Sequence, residues 1–291
     1  VYQDSSTSLI WSNQTGENKL VVGTDNGDPS DDQPTVLGLA LDSSHLYWSA
    51  WDTSRTGQLA HVRSSPRAGG AIVEANLPTP GVGEIVLAHG SLWFANWKQA
   101  GGHVYSLPAP FVSDAAPTDQ SGADVPSSLH LASNDAFVFY DESTVATHTD
   151  QDEIGAVSTT LGGPDEVAFS LTHIEDLAVD AENRVYYAQT SAGKIGSAIR
   201  GGDASVTPFV SIPYPHFLAY DGDNSFLYVI STTAANVYSL QRFSTNSGAN
   251  PAPQMCVDNL TDADALFYFG GHVYFSARSA SGSALFDLKT N

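Results

Sequence analysis

A repeat constrains this chain more than any other feature. A short apolar strand ends at a polar turn, a strand rich in aromatic residues follows, and a Gly/Ser turn leads to a third strand. The pattern reads LALDSSHLYWSAWDTSRTGQLAHV from Leu39 and VLAHGSLWFANWKQAGGHVYSL from Val86. It returns as LAVDAENRVYYAQTSAGKIGSAI from Leu177, LAYDGDNSFLYVISTTAANVYSL from Leu218 and LFYFGGHVYFSARSASGSALFDL from Leu266. A weaker copy spans Leu129–Val157 around the aromatic strand Phe137-Val138-Phe139-Tyr140. The N-terminus adds another, because Leu9-Ile10-Trp11-Ser12 aligns with Leu46-Tyr47-Trp48-Ser49. The second residues of these aromatic strands are Ile10, Tyr47, Trp93, Val138, Tyr186, Tyr228 and Tyr274, spaced by 37, 46, 45, 48, 42 and 46. A four-stranded propeller blade takes ~40–45 residues.

Each copy alternates over short segments rich in Val, Ile, Tyr, Phe and Trp and is bounded by Gly, Asn, Asp and Ser, which is strand and hairpin chemistry. Turns such as Ala100-Gly101-Gly102, Gly201-Gly202 and Asp221-Gly222-Asp223-Asn224 supply the positive φ that tight hairpins need. No segment carries a sustained 3.6-residue apolar period with caps. A sandwich would give short strands but not seven copies at one period. The sequence therefore predicts an all-β, seven-bladed β-propeller occupying residues 1–291 as a single domain. The alternative is a six-bladed propeller in which the N-terminal segment crosses over to complete the last blade, because copy seven stops after a third strand near Leu288.

Composition excludes some partners. The chain has 11 Lys and Arg against 32 Asp and Glu, a net charge of −21. Nucleic-acid binding needs a basic stripe that these few cations do not form. Anionic membranes are disfavoured for the same reason, and no apolar run approaches the ~20 residues of a membrane span. One cysteine, Cys256, leaves no intramolecular disulfide and no zinc-type cluster. Few lysines and an acidic, Ser/Thr/Gly-rich surface suit an exported protein, secreted or periplasmic.

The strands Leu46-Tyr47-Trp48-Ser49 and Leu9-Ile10-Trp11-Ser12 resemble the YWTD repeats of low-density-lipoprotein-receptor propellers, and the overall pattern is similar to NHL-type propellers. The likeness covers nearly the whole chain and implies architecture, since propellers host unrelated activities. The YWTD family usually has six blades where seven copies are counted here, and most copies lack the Thr-Asp ending.

In a propeller, the loop entering the inner strand and the loop after the aromatic strand open on one face. Alignment then predicts that Glu84, His173, Glu175, Asp176, Tyr214, His216, Asp262 and Asp264 surround the mouth of the central channel, with Leu37, Gly83 and Ser128 at equivalent positions. A catalytic set of His216, Glu175 and Asp264 follows, because close carboxylates raise one another's pKa and histidine serves as a base. A metal set of Asp262, Asp264 and Glu175 offers the oxygen ligands that Ca²⁺ or Mg²⁺ prefers. The plain reading is a hydrated acidic mouth. Trp51 and Trp97 follow aromatic strands and fall in turns, where flat exposed rings suit sugars, cations or aliphatic segments. Trp48 and Trp93 lie within strands and are expected to pack. The acidic stretches 25–32 and 148–153 read as solvated loops or weak Ca²⁺ sites, and neither has the EF-hand register. Pro108–Pro126 is expected to replace the outer strand of its blade.

No GxSxG, HExxH, Walker or GxGxxG signature is present. Three functions follow. The first is an exported binding module for a small molecule, glycan or peptide, with Trp51, Trp97, Glu84, His173, Asp176 and Tyr214 as contacts. The second is a metal-assisted lyase or hydrolase using the histidine and carboxylates. The third is an assembly protein that pairs strands through an incomplete terminal blade.

Overall fold

The computed structural model describes residues 2–5, 8–13, 16–21, 35–51, 60–67, 71–75, 77, 82–96, 103–120, 130–143, 152–160, 164–171, 173–201, 207–233, 237–248, 250–279 and 282–290. The described strands form six antiparallel sheets in chain order. The first holds β1 (Tyr2–Ser5), β2 (Ser8–Asn13) and β3 (Gly16–Val21). The second holds β4 (Thr35–Leu41), β5 (His45–Trp51), β6 (Ala60–Pro66) and β7 (Val73–Glu74). The third holds β8 (Ile85–Ala88), β9 (Ser91–Ala95), β10 (Val104–Pro108) and β11 (Thr118–Asp119). The fourth holds β12 (Leu131–Ser133), β13 (Phe137–Ser143), β14 (Asp152–Ser158) and β15 (Pro164–Leu171). The fifth holds β16 (Asp176–Val179), β17 (Arg184–Gln189), β18 (Lys194–Ile199) and β19 (Thr207–Ser211). The sixth runs through β20 (Pro215–Asp221), β21 (Phe226–Thr232), β22 (Tyr238–Ser244), β23 (Gln254–Phe269), β24 (His272–Ser279) and β25 (Gly282–Lys289).

Six sheets correct the expected seven and match the blade number of the six-bladed alternative, although among the described residues the N-terminal strands form a sheet of their own and do not complete the last one. The reason is β23, which continues for 16 residues where the repeat predicts a break. Its first part pairs with β22 and its second part with β24, with a register irregularity between Thr261 and Ala265. Copies six and seven therefore share a strand and join into one sheet. The sheet folds over at that point: Tyr228, Ile230 and Leu240 from β21 and β22 pack against Leu266, Val273, Phe275 and Ala277 from β23 and β24. The segment predicted to replace the outer strand of the third sheet instead supplies a short one, β11, which pairs with β10.

The turn from first to second strand repeats one device. Asp42 Oδ1 accepts the N–H groups of Ser44 and His45, each at 2.6 Å. Asp180 Oδ1 accepts those of Glu182 at 3.0 Å and Arg184 at 2.8 Å. Asp221 Oδ1 accepts those of Asp223 at 3.0 Å and Asn224 at 3.1 Å. An aspartate that closes its own turn explains why LALD, LAVD and LAYD recur.

The chain divides into two compact units. One comprises Val1–Val138 and Val157–Pro164, the other Phe139–Ala156 and Asp165–Asn291. Within the first, β4 neighbours β8, and β8 neighbours β12. Tyr47, Val62, Ile85, Leu92, Phe94 and Leu107 share a core between the second and third sheets. A Cβ on Gly38 would meet the Ile85 nitrogen at 2.7 Å, so only glycine lets β4 approach β8 this closely. Within the second unit, β16 neighbours β20 and β20 neighbours β23. Leu227 and Val229 of β21 pack toward the fifth sheet, Tyr228 and Ile230 toward β23–β25. A strand covered on both faces reads as the near-continuous apolar run Phe226-Leu227-Tyr228-Val229-Ile230 rather than as an alternation. Trp48 and Trp93 are buried, as their place within strands predicts.

Candidate functional site

Among the residues that the alignment selects, His173, Glu175, Asp176, Tyr214 and His216 belong to the second unit. They occupy the entrances of β16 and β20, which are neighbouring inner strands.

The β20 entrance is a bulge. Pro215 pairs with Ser231 and Phe217 with Ile230, leaving His216 as the extra residue. A bulge breaks the alternation of the strand and re-aims one side chain. Leu37 has the same place in β4, between Val36 opposite Ala50 and Gly38 opposite Ser49. Asp262 and Asp264 fall in the irregular stretch of β23, and their side chains lie outside the described residues.

Two hydrogen bonds hold the turn before β20. The Thr232 N–H donates to the Tyr214 carbonyl at 3.0 Å, and the Thr190 hydroxyl donates to the Pro215 carbonyl. Between them Tyr214 takes φ +40°, a left-handed backbone that a bulky residue rarely adopts. Its side chain is 46% exposed.

The His216 Nε2 lies 3.0 Å from the Thr232 hydroxyl, and its ring centre lies 5.8 Å from that of Tyr238. Burial pushes the His216 pKa below the ordinary 6.5, and the negative charge of Glu175 opposes that shift without overcoming it. His216 is therefore a neutral imidazole at pH 7. Glu175 Oε1 lies 3.3 Å from Nε2 of the exposed His173. The entrance thus presents a neutral imidazole backed by a hydroxyl, a half-exposed carboxylate and an exposed phenol. Such a group can accept and donate hydrogen bonds to a ligand, and a neutral histidine can take up a proton.

Asp176 and Glu84 are engaged within the scaffold. Asp176 is buried, and its Oδ2 accepts the N–H of Leu218 on β20 at 2.7 Å. In the first unit, Glu84 Oε2 accepts the N–H of Leu131 on β12 at 2.8 Å, while its Oε1 lies 3.4 Å from His130 Nδ1. Each carboxylate thereby links the inner strands of neighbouring sheets. Asp152, at the start of β14, accepts the N–H of Ile174, ahead of β16, at 2.7 Å, so that end of the 148–153 acidic stretch binds backbone.

Trp51 lies at the end of β5, opposite Thr35 and Ala60, and not in a turn beyond it. Its side chain, Trp97 and the acidic stretch 25–32 lie outside the described residues. The alignment missed Thr232 and Tyr238. A signal was available for the first: a hydroxyl residue recurs near the end of the aromatic strands, as Ser49, Thr190 and Thr232. Each makes a contact at the next inner-strand entrance or its own, with Ser49 donating to the Gly83 carbonyl at 2.6 Å.

No protein-family model matches the chain, and no curated protein matches it. Solved structures do. A peptide-bound YCF48 is 10% identical with a TM-score of 0.62, over 98% of this chain and 85% of that one. A catalytically inactive virginiamycin B lyase from Staphylococcus aureus with quinupristin is 14% identical with a TM-score of 0.61, over 90% of this chain and 86% of that one. A chain of the nidogen/laminin complex is 11% identical with a TM-score of 0.56, over 82% of this chain and 85% of that one. Identities this low speak to fold alone, and together with the six sheets in chain order they establish that this chain is an all-β β-propeller.

Proposed function

We propose that this chain is an exported ligand-binding β-propeller that takes a small molecule, glycan or peptide at the entrances of β16 and β20. Tyr214, His216 and Glu175 contact the ligand. The observation that carries the reading is the backbone of Tyr214. Holding a tyrosine at φ +40° costs on the order of 1–3 kcal/mol and persists only where the surroundings over-determine it. Two hydrogen bonds enforce it here, and their effect is to present an exposed aromatic ring beside His216. Among proteins of this fold, YCF48 is known with a bound peptide and virginiamycin B lyase with quinupristin.

A lyase-type enzyme is the second reading. It is favoured by the neutral His216 with the Thr232 hydroxyl at its Nε2, which suits a general base. The two readings separate in one experiment. Peptide and glycan arrays and quinupristin are screened for binding and for consumption, with Tyr214→Gly and His216→Ala as controls. A binding module loses affinity with Tyr214→Gly, while relief of the backbone strain leaves its stability equal or higher. An enzyme consumes the compound it binds and stops doing so with His216→Ala. Hits whose affinity survives both substitutions contradict a site at this entrance.

A further inference from the structure

The carboxylate of Glu175 has the chemistry of a ligand anchor, and we infer that the ligand of this entrance carries a cationic group, an ammonium or guanidinium, which pairs with Glu175. The inference rests on the ligand-binding reading above. Glu175 pairs with no lysine or arginine among the described residues; its ion-pair partner there is His173 at 3.3 Å. The His173 side chain is 67% exposed, so little holds it in place against a stronger donor. On the other side, His216 is kept neutral by burial and does not cancel the carboxylate charge. Two carboxylates close by in sequence behave differently. Asp176 is buried against backbone N–H groups, whereas Glu175 is half-exposed and presents its oxygens at the entrance.

The surroundings suit a cation in a second way. An aromatic face attracts an ammonium or guanidinium group, and Tyr214 offers an exposed ring two residues before His216. The net charge of −21 also concentrates cations near the molecule and hastens their arrival. An anionic ligand would meet Glu175 with no lysine or arginine paired to it among the described residues, a like-charge juxtaposition that disfavours the wrong partner. Phenols and imidazoles alone would accept neutral ligands equally. The charge of Glu175, met by no lysine or arginine among the described residues, is what selects.

Three matched fragments test this in the full chain: benzylammonium, benzyl alcohol and phenylacetate. They share a ring and differ in charge, and binding is read from the amide and imidazole resonances of residues 173–177 and 214–217. Benzylammonium is expected to shift these resonances and to bind more tightly than the other two. Glu175→Gln is expected to weaken it up to about fivefold, the span of an exposed ion pair, and to erase its advantage over benzyl alcohol. Added salt is expected to weaken it too. Equal or tighter binding of benzyl alcohol or phenylacetate, lost with Tyr214→Gly, overturns the cation and leaves the ligand site standing. An unchanged benzylammonium affinity in Glu175→Gln overturns the role of Glu175. No shift at these residues with any of the three overturns the ligand site as well.

Discussion

The carboxylate of Asp176 bridges two backbone N–H groups 41 residues apart in sequence, accepting from Leu177 through Oδ1 and from Leu218 through Oδ2, each at 2.7 Å. The bridge joins the entrance of β16 to β20 and thereby sets the spacing of the two strand entrances that carry Glu175 and His216. Removing the acceptor leaves a buried N–H unsatisfied, which costs about 1–3 kcal/mol. Asp176→Ala is expected to lower the unfolding midpoint by several degrees. Asp176→Asn keeps one carbonyl acceptor and loses less. Parallel thermal melts of the two variants check this, and equal effects would contradict the bridge.

Gly196 lies opposite Tyr187 across β17 and β18, and a Cβ on it would come within 2.2–2.4 Å of the phenol ring. Gly155 stands in the same relation to Tyr140. In both places a buried ring covers bare backbone. Gly196→Ala forces the ring aside and is expected to cost about 1–3 kcal/mol, the usual range for overpacking. Adding Tyr187→Leu removes the obstacle, so the double variant is expected to lose less than the sum of the single losses. Additive losses measured by chemical denaturation would contradict the contact.

In the first unit, Glu74 takes the His61 imidazole at 2.6 Å and the Arg63 guanidinium at 2.8 Å. Burial alone would raise its pKa. The His61 hydrogen bond and the Arg63 charge outweigh burial and bring it down from 4.5 to about 2. A carboxylate depressed on folding stabilises the native state above its unfolded value and loses that contribution as pH falls from about 4.5 to about 2. His61→Gln is expected to raise the Glu74 midpoint, so that the acid loss becomes smaller and is complete at higher pH, read by carbon-detected titration and by melts between pH 5 and 2.

His216 titrates in the other sense. Its lowered pKa means that the folded state binds its proton less readily than the unfolded chain, so its contribution to stability falls as pH drops below about 6.5. Its imidazole titration is expected to centre below 6.5. Glu175 supplies the opposing, charge-stabilising influence, so Glu175→Gln is expected to lower the midpoint further. A rise in that variant would mean that Glu175 does not act on His216.

Much of this was legible in the chain. The aromatic strands fall where the repeat places them, because a short run of Tyr, Phe, Val and Ile between Asp and Gly turns has one economical fold. The alignment of Leu37 with His216 also holds in register, since both are the extra residue of a bulge. Strand β23 was not legible. The alignment places Asp262 and Asp264 at a strand entrance, and only the pairings on either side make Thr261-Asp262-Ala263-Asp264 part of one continuous strand. The roles of Glu175 and Asp176 were likewise closed to the sequence. Two adjacent acids look alike until the backbone N–H of Leu218, far along the chain, is brought to one and not the other.

Hydrogen exchange with and without a bound hit from the arrays tests the central claim most directly. Added protection is expected to concentrate in residues 173–177 and 213–217 and to vanish with Tyr214→Gly. Protection gathered elsewhere in the chain, with these two turns exchanging as before, would contradict a ligand site at the entrances of β16 and β20.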